Sequence, residues 1–139
     1  MKQLNIYLAS SFKYKRNLET VKSALNHQGH HIEDIWWNLD SKQVAETDNY
    51  WYNKPETKAI CARHFESIKK CDALILVNPI SVPGQFNGAA VEVGYALALG
   101  KPVYSFGFIP RSAMYSPVIR CYNMESLLDC VNIQALKER

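Results

Sequence analysis

The chain opens on a short apolar run, Leu4 to Ala9 (LNIYLA), which reads as a buried first strand. From Arg16 to His27 the apolar positions Leu18, Val21, Ala24 and Leu25 recur at helical spacing, and the pattern stops near Gly29. His31 to Trp37 alternates, which predicts a second strand. Asn38 to Lys54 is polar and aromatic without a period, and includes Tyr50, Trp51 and Tyr52. Pro55 to Lys70 predicts a helix, with proline in its first turn and Ile60, His64 and Ile68 on one stripe. Ala73 to Val77 (ALILV) is a short, wholly apolar strand of the kind that parallel sheets bury. Asn78 to Phe86 holds two prolines and a glycine and reads as a loop. A helix follows from Gly88 to Leu99, with Asn87 as its cap and Gly100 as its stop. Pro102 to Gly107 predicts a fourth strand and Val118 to Tyr122 a fifth. Asn123 then caps a last helix, Met124 to Val131.

Strands alternate with helices throughout. That order predicts an α/β fold in one domain over residues 1–139: a parallel sheet of about five strands, flavodoxin-like or Rossmann-like, with helices on both faces. For a strand order 2-1-3-4-5, ligands bind where the order reverses, between the first and third strands. The loops that meet there are Ala9 to Lys15 and Asn78 to Asn87.

Composition narrows the function classes. The chain has 139 residues, of which 47% are hydrophobic, enough for one real core. Its apolar runs fall far short of a membrane span. Its N-terminus runs into a charged helix without the shape of a secretion signal, which predicts a cytoplasmic location. The net charge of +3 comes from scattered Lys and Arg, which argues against a nucleic-acid polymer as partner. Lys13, Lys15 and Arg16 form the one local basic group. Cys61, Cys71, Cys121 and Cys130 make no CxxC pair and read as buried or half-buried thiols in a reducing compartment. His30 and His31 are neighbours on a predicted strand and point to opposite faces, so no metal site is expected there.

The chemistry-bearing anomaly is Glu92. Ala90, Val91, Val93, Gly94, Ala96, Leu97 and Leu99 surround it with small or apolar side chains, and a helix apolar on nearly all sides is buried. Gly88 and Ala89 share its face and leave space beside the carboxylate for a ligand. The helix N-terminus favours its negative charge. The plainer reading is a glutamate that caps a turn or pairs with a cation on a neighbouring element.

Tyr7-Leu-Ala-Ser10-Ser11 as first strand and loop, Asp72 opening DALILV, and NGAAVEVGYALALGKPV together resemble the nucleoside 2-deoxyribosyltransferase superfamily, which includes the 2'-deoxynucleoside 5'-phosphate N-hydrolases. The similarity spans most of the chain, and its most specific part is the G-x-x-x-E-x-G-x-A-x-A-x-G-K-P pattern. The resemblance implies the same flavodoxin-like sheet and cleavage of an N-glycosidic bond in a nucleoside or its 5'-monophosphate, by a hydrolase or a transferase. Glu92 matches the nucleophile that would attack the anomeric carbon, forming a glycosyl-enzyme by the logic of retaining glycosidases. Tyr7 matches a tyrosine that orients this carboxylate; its alternative is core packing. Ser10 and Ser11 match the loop that cradles the sugar or its phosphate, and Lys13 stands where phosphate-binding members carry arginine; a solvated lysine is the alternative. Asn87 and Gly88 would line the approach to Glu92, and Ser116 resembles a serine offered by a second subunit. The resemblance implies no cofactor or metal, and a homodimer or larger homo-oligomer with shared sites.

Two positions depart from the family pattern. The aspartate expected on the helix before the third strand, eight residues ahead of Asp72, is His64, with Glu66 two residues on. Six residues before Glu92, where aspartate or serine is common, stands Phe86. His64 suits a general acid near neutral pH; the plainer reading is a structural histidine. The aromatic segment Asn49 to Asn53 either closes over a base or packs on the sheet edge. These departures keep a non-catalytic nucleotide-binding or sensing module open as the alternative function. A flavodoxin-like redox protein fits less well, because the first loop lacks the Ser/Thr/Gly-rich phosphate run of flavin binders. Nothing in the sequence favours a partner-binding scaffold.

Overall fold

The computed structural model describes residues 1–39, 54–79 and 87–138. In chain order its elements are β1 (Asn5–Ala9), a 3-10 turn (Phe12–Tyr14), α1 (Lys15–His27), β2 (His31–Ile32), α2 (Trp36–Leu39), α3 (Pro55–Lys70), β3 (Ala73–Asn78), α4 (Asn87–Ala98), β4 (Val103–Gly107), a second 3-10 turn (Ala113–Tyr115), β5 (Ile119–Cys121) and α5 (Met124–Lys137). The five strands are all parallel, in the order β2-β1-β3-β4-β5. This is the 2-1-3-4-5 order, and it reverses between β1 and β3.

Each strand residue sends its side chain to the face opposite its neighbour's, and both faces are covered. Helices α3 and α4 pack together over one face, and α1 and α5 lie over the other. This double covering explains why β3 is buried along its whole length and carries no polar residue before Asn78. Asp72 precedes β3 and accepts the Asn5 amide at 2.8 Å, which fixes the start of β1 against β3. In this fold its carboxylate is a latch of the sheet.

Several boundaries differ from those the sequence predicts. The second strand was expected through Trp37 but ends at Ile32. Asp34 turns the chain with φ +104°, and Trp36 begins a short helix. Both tryptophans are buried: the Trp36 indole donates to the Leu8 carbonyl at 2.7 Å, and the Trp37 indole to Glu19 at 2.7 Å. An apolar pair burying both members mimics alternation, but a strand cannot bury two neighbours on one face. The last helix runs on from Val131 to Lys137, because Leu127, Val131 and Ala135 continue one buried stripe. Its start is as expected, with Asn123 and Ser126 capping each other reciprocally. Helix α4 begins at Asn87, so the residue expected as a cap is the first helical one, a difference of a single residue. Phe86 and the segment Asn49 to Asn53 lie outside the described residues.

His30 is buried and spends both ring nitrogens on structure: Nδ1 accepts the Leu4 amide at 3.1 Å, and Nε2 lies 2.9 Å from the Asn132 side-chain oxygen. His31 is exposed on the opposite face. Among the described residues no group of three or more metal-ligating side chains converges, and no helix is long and apolar enough to cross a membrane.

Two predictions follow from the packing. Gly107 closes β4 with φ +109°, and a Cβ there would lie 2.1 Å from the Asn78 carbonyl oxygen. Gly107→Ala will cost about 2 kcal/mol or more, read from urea or thermal unfolding, because backbone rather than a mobile side chain must give way. The second concerns alkaline pH. Burial pushes the Cys71 thiol up to about 11, the Cys121 thiol up to about 12 and the Tyr104 hydroxyl up to about 12. These groups ionise earlier in the unfolded chain than in the folded one. Their contribution is therefore complete below the ordinary thiol and phenol range and is lost as pH rises toward 12. The urea midpoint will hold level from pH 7 to about 8.5 and fall from about pH 9 upward. A level midpoint at pH 11 would contradict this account.

Candidate active site

At the carboxyl ends of β1 and β3 the structure opens a cavity of about 500 Å³, within the range of small-molecule sites. Its floor is the loop after β1 (Ser10, Ser11, Phe12). Its walls are Trp36 of α2, Cys61, His64 and Phe65 of α3, and Gly88, Ala89, Val91 and Glu92 of α4. Most of the lining is apolar or aromatic, and the polar chemistry gathers at Glu92.

Glu92 sits in the second turn of α4 and is only 8% exposed. A carboxylate so enclosed must find donors inside the protein. Tyr7, in the middle of β1 and fully buried, donates its hydroxyl to Glu92 Oε2. His64 Nδ1 lies 3.1 Å from the same oxygen and 3.0 Å from the Tyr7 hydroxyl. Three residues from β1, α3 and α4 thus meet at one atom. An ionised carboxylate is acceptor-only, and here both donors go to Oε2. Among the described residues no hydrogen bond reaches Oε1. Burial, then the charge of Glu92 and the hydrogen bond to it, hold the Tyr7 hydroxyl well above the usual phenol range. Tyr7 therefore remains a protonated donor at any physiological pH.

Much of the remaining lining is aromatic. Phe12 meets Trp36 edge-on at 5.0 Å between ring centres, and Trp36 lies 5.8 Å from the His64 ring. Phe65 stacks at a tilt on Tyr95, 4.7 Å away. The hydrogen bond from Trp36 to Leu8 locks its indole, so this wall is preformed. Among the described residues, nothing lies within 4 Å of where a Cβ on Gly88 would be.

The predicted site residues separate into two groups. Glu92, Tyr7 and His64 come together, and Ser10, Ser11 and Gly88 line or adjoin the same cavity. Asn87 begins α4 directly before Gly88. Ser10 is also structural, because its hydroxyl donates to the Val77 carbonyl at 2.6 Å and ties the first loop to β3. Lys13 and Ser116 stand apart. Lys13 is exposed on the 3-10 turn with its Nζ 5.4 Å from the Tyr14 ring centre, and Ser116 is exposed after the second 3-10 turn. Neither lines the cavity. Residues the sequence reading passed over are Trp36, Phe12, Phe65 and Cys61 on the cavity wall, and Arg63 with Asp34 behind His64. The one sequence signal for Cys61 and Phe65 is that they follow Ile60 and His64 of the recognised stripe by a single residue.

The chain is similar in fold to the CMP N-glycosidase BcmB of Clostridium botulinum. The two share 17% sequence identity and a TM-score of 0.59, with 92% of this chain and 98% of that one covered. No curated protein matches the chain. Residues 6–127 match the sequence model described as Nucleoside 2-deoxyribosyltransferase, a span from β1 into α5 that includes Tyr7, His64 and Glu92. The chain belongs to the nucleoside 2-deoxyribosyltransferase family.

Proposed function

We propose that this protein cleaves the N-glycosidic bond of a nucleoside or its 5'-monophosphate, with Glu92 as nucleophile. The observation that carries this reading is the convergence of Tyr7 and His64 on one oxygen of a buried carboxylate at a cavity wall. Two donors on Oε2 fix the rotation of the carboxylate and direct Oε1 as the attacking atom. Attack on the anomeric carbon forms the Glu92–sugar ester bond and breaks the bond to the base, whose ring nitrogen takes the electron pair. A carboxylate this close stabilises the oxocarbenium-like transition state and then traps it. Water releases the sugar in a hydrolase; a second base does so in a transferase.

The base stacks against the Phe12 and Trp36 wall, and the sugar lies between Gly88 and the Ser10–Ser11 loop. Aromatic stacking of this kind contributes about 1–3 kcal/mol per base. The acceptance of a monophosphate is supported by the name of the structural neighbour, a CMP N-glycosidase, and by Ser11 at the loop. Ser116 is exposed and off its own cavity wall, so it meets a substrate only across an interface between two copies of the chain. That arrangement fits a homo-oligomer with shared sites.

The deciding assay is chromatographic detection of free base from a panel of nucleosides and their 5'-monophosphates, with and without an acceptor base. The wild-type protein will release base from at least one member. Glu92→Ala and Glu92→Gln will abolish the release, since both remove the nucleophile. Tyr7→Phe will lower kcat by about 10- to 100-fold, the worth of a hydrogen bond to a charged group, and leave KM nearly unchanged. Substrate binding without base release by the folded wild-type protein would overturn the catalytic reading in favour of a nucleotide-binding module.

A further inference from the structure

His64 has a partner on each side of its ring. Nδ1 faces Glu92 and the Tyr7 hydroxyl, and Nε2 lies 3.1 Å from the Arg63 guanidinium. Arg63 in turn reaches Asp34 through Nε at 3.2 Å, and the Ser67 hydroxyl donates to the same Asp34 oxygen at 3.3 Å. The Asp34 side chain is 5% exposed. Its backbone is left-handed, at φ +104°, a conformation that costs a non-glycine residue free energy and persists where surrounding contacts impose it.

The donor inventory turns this chain of contacts into a statement about a proton. A guanidinium carries only N–H donors and stays charged. The ring nitrogen facing it must accept, so Nε2 has no proton. The ring is then neutral with its proton on Nδ1, and Nδ1–H points at Glu92 Oε2. An imidazolium would set an N–H against the guanidinium and place two cations side by side. Among the described residues, the groups that face His64 are Glu92 from α4, Tyr7 from β1, Arg63 beside it on α3, Cys61 one turn earlier on α3 and, through Arg63, Asp34 from the loop after β2. Trp36 contributes a ring contact without charge.

We propose that Asp34 and Arg63 are positioning residues that hold His64 as its Nδ1–H tautomer, so that His64 acts as a fixed donor to Glu92 rather than as a proton source for the leaving base. This deepens the glycosidase reading and rests on it for its catalytic meaning. The tautomer itself can be read without any turnover. The general-acid role suggested by the residue type alone does not fit, because neither ring nitrogen is left for the base: one serves Glu92 and the other Arg63.

The test is two-bond 1H–15N correlation of the histidine side chains in the full-length protein from pH 5.5 to 8, beside the base-release assay. Wild type will show His64 as the Nδ1–H tautomer. Arg63→Ala will move it toward Nε2–H, raise its titration midpoint by about one unit and lower kcat about tenfold with little change in KM. Arg63→Lys keeps a donor-only cation and will restore the tautomer and most of kcat. Asp34→Asn will fall between, since it loosens Arg63 without removing it. An Nε2–H or protonated His64 in the wild type overturns the proposal. So does an unchanged tautomer and midpoint in Arg63→Ala or, should that variant not fold, in Asp34→Asn. A wild type that releases base while His64 ignores Arg63 defeats the positioning role alone. A wild type with the Nδ1–H tautomer and no base release defeats the glycosidase reading alone.

Discussion

The buried contact between Tyr7 and Glu92 is the constraint to which the rest of the structure answers. A carboxylate at 8% exposure loses most of its hydration, and that loss is large unless hydrogen bonds replace it. The replacement comes from two other elements. Tyr7 reaches Glu92 because β1 lies inside the sheet, between β2 and β3, with its odd-numbered side chains under α3 and α4. The β1–β3 register sets Tyr7 beside Leu74, and the Asp72 latch fixes that register at its start. His64 arrives because α3 packs on α4 along their length. The fold thus holds three side chains at one oxygen by the positions of backbone elements rather than by mobile loops, which is how a reacting group is held to within a fraction of an ångström.

The same network is a liability for stability. Tyr7, His64 and the buried Asp34 side chain are joined through Arg63, whose side chain is 38% exposed, into one polar track from β1 to the turn after β2. A fully satisfied polar network in a low-dielectric surrounding is rigid, and removing one member strands the rest. Its members are drawn from β1, from α3 and from the turn after β2, so the loss of one contact loosens several elements. The left-handed Asp34 belongs to this balance: local backbone strain is tolerated because the Arg63 ion pair and the Ser67 hydroxyl hold the side chain in place.

The legible parts of the sequence were those governed by periodicity. Wholly apolar β3, the amphipathic stripe of α1 and the Asn123 cap each encode one structure locally, and the parallel pairing of the strands follows from alternation. The misread parts are those where local pattern and tertiary contact disagree. Trp36 and Trp37 look like strand residues, but each indole finds its own hydrogen-bond acceptor and the chain turns at Asp34 to let both be buried. The end of α5 was hidden because Asn132 and Gln134 interrupt the apolar pattern, while the buried stripe needs only Ala135. Within the site, Glu92 stood out as a carboxylate in an apolar helix, while Tyr7 and His64 were singled out through the resemblance. Arg63 and Asp34 were not, because a charged residue in a mixed helix or turn carries no local mark of burial. Lys13 and Ser116 came from resemblance alone, and the cavity wall of a single chain does not include them.

The asymmetry of the cavity completes the physical picture. Part of the lining is aromatic rings, and another part is a single carboxylate whose second oxygen is already occupied by donors. On the proposed reading, the ligand offers a flat apolar face to the rings and an electrophilic carbon to Glu92. A base linked to the anomeric carbon of a sugar has this shape. At 8% exposure Glu92 sits in a lower local dielectric than water, which on the proposed function strengthens its attraction for positive charge developing at that carbon. Burial of Glu92, which is costly for folding, is on the proposed function the same feature that strengthens the carboxylate's action on a substrate.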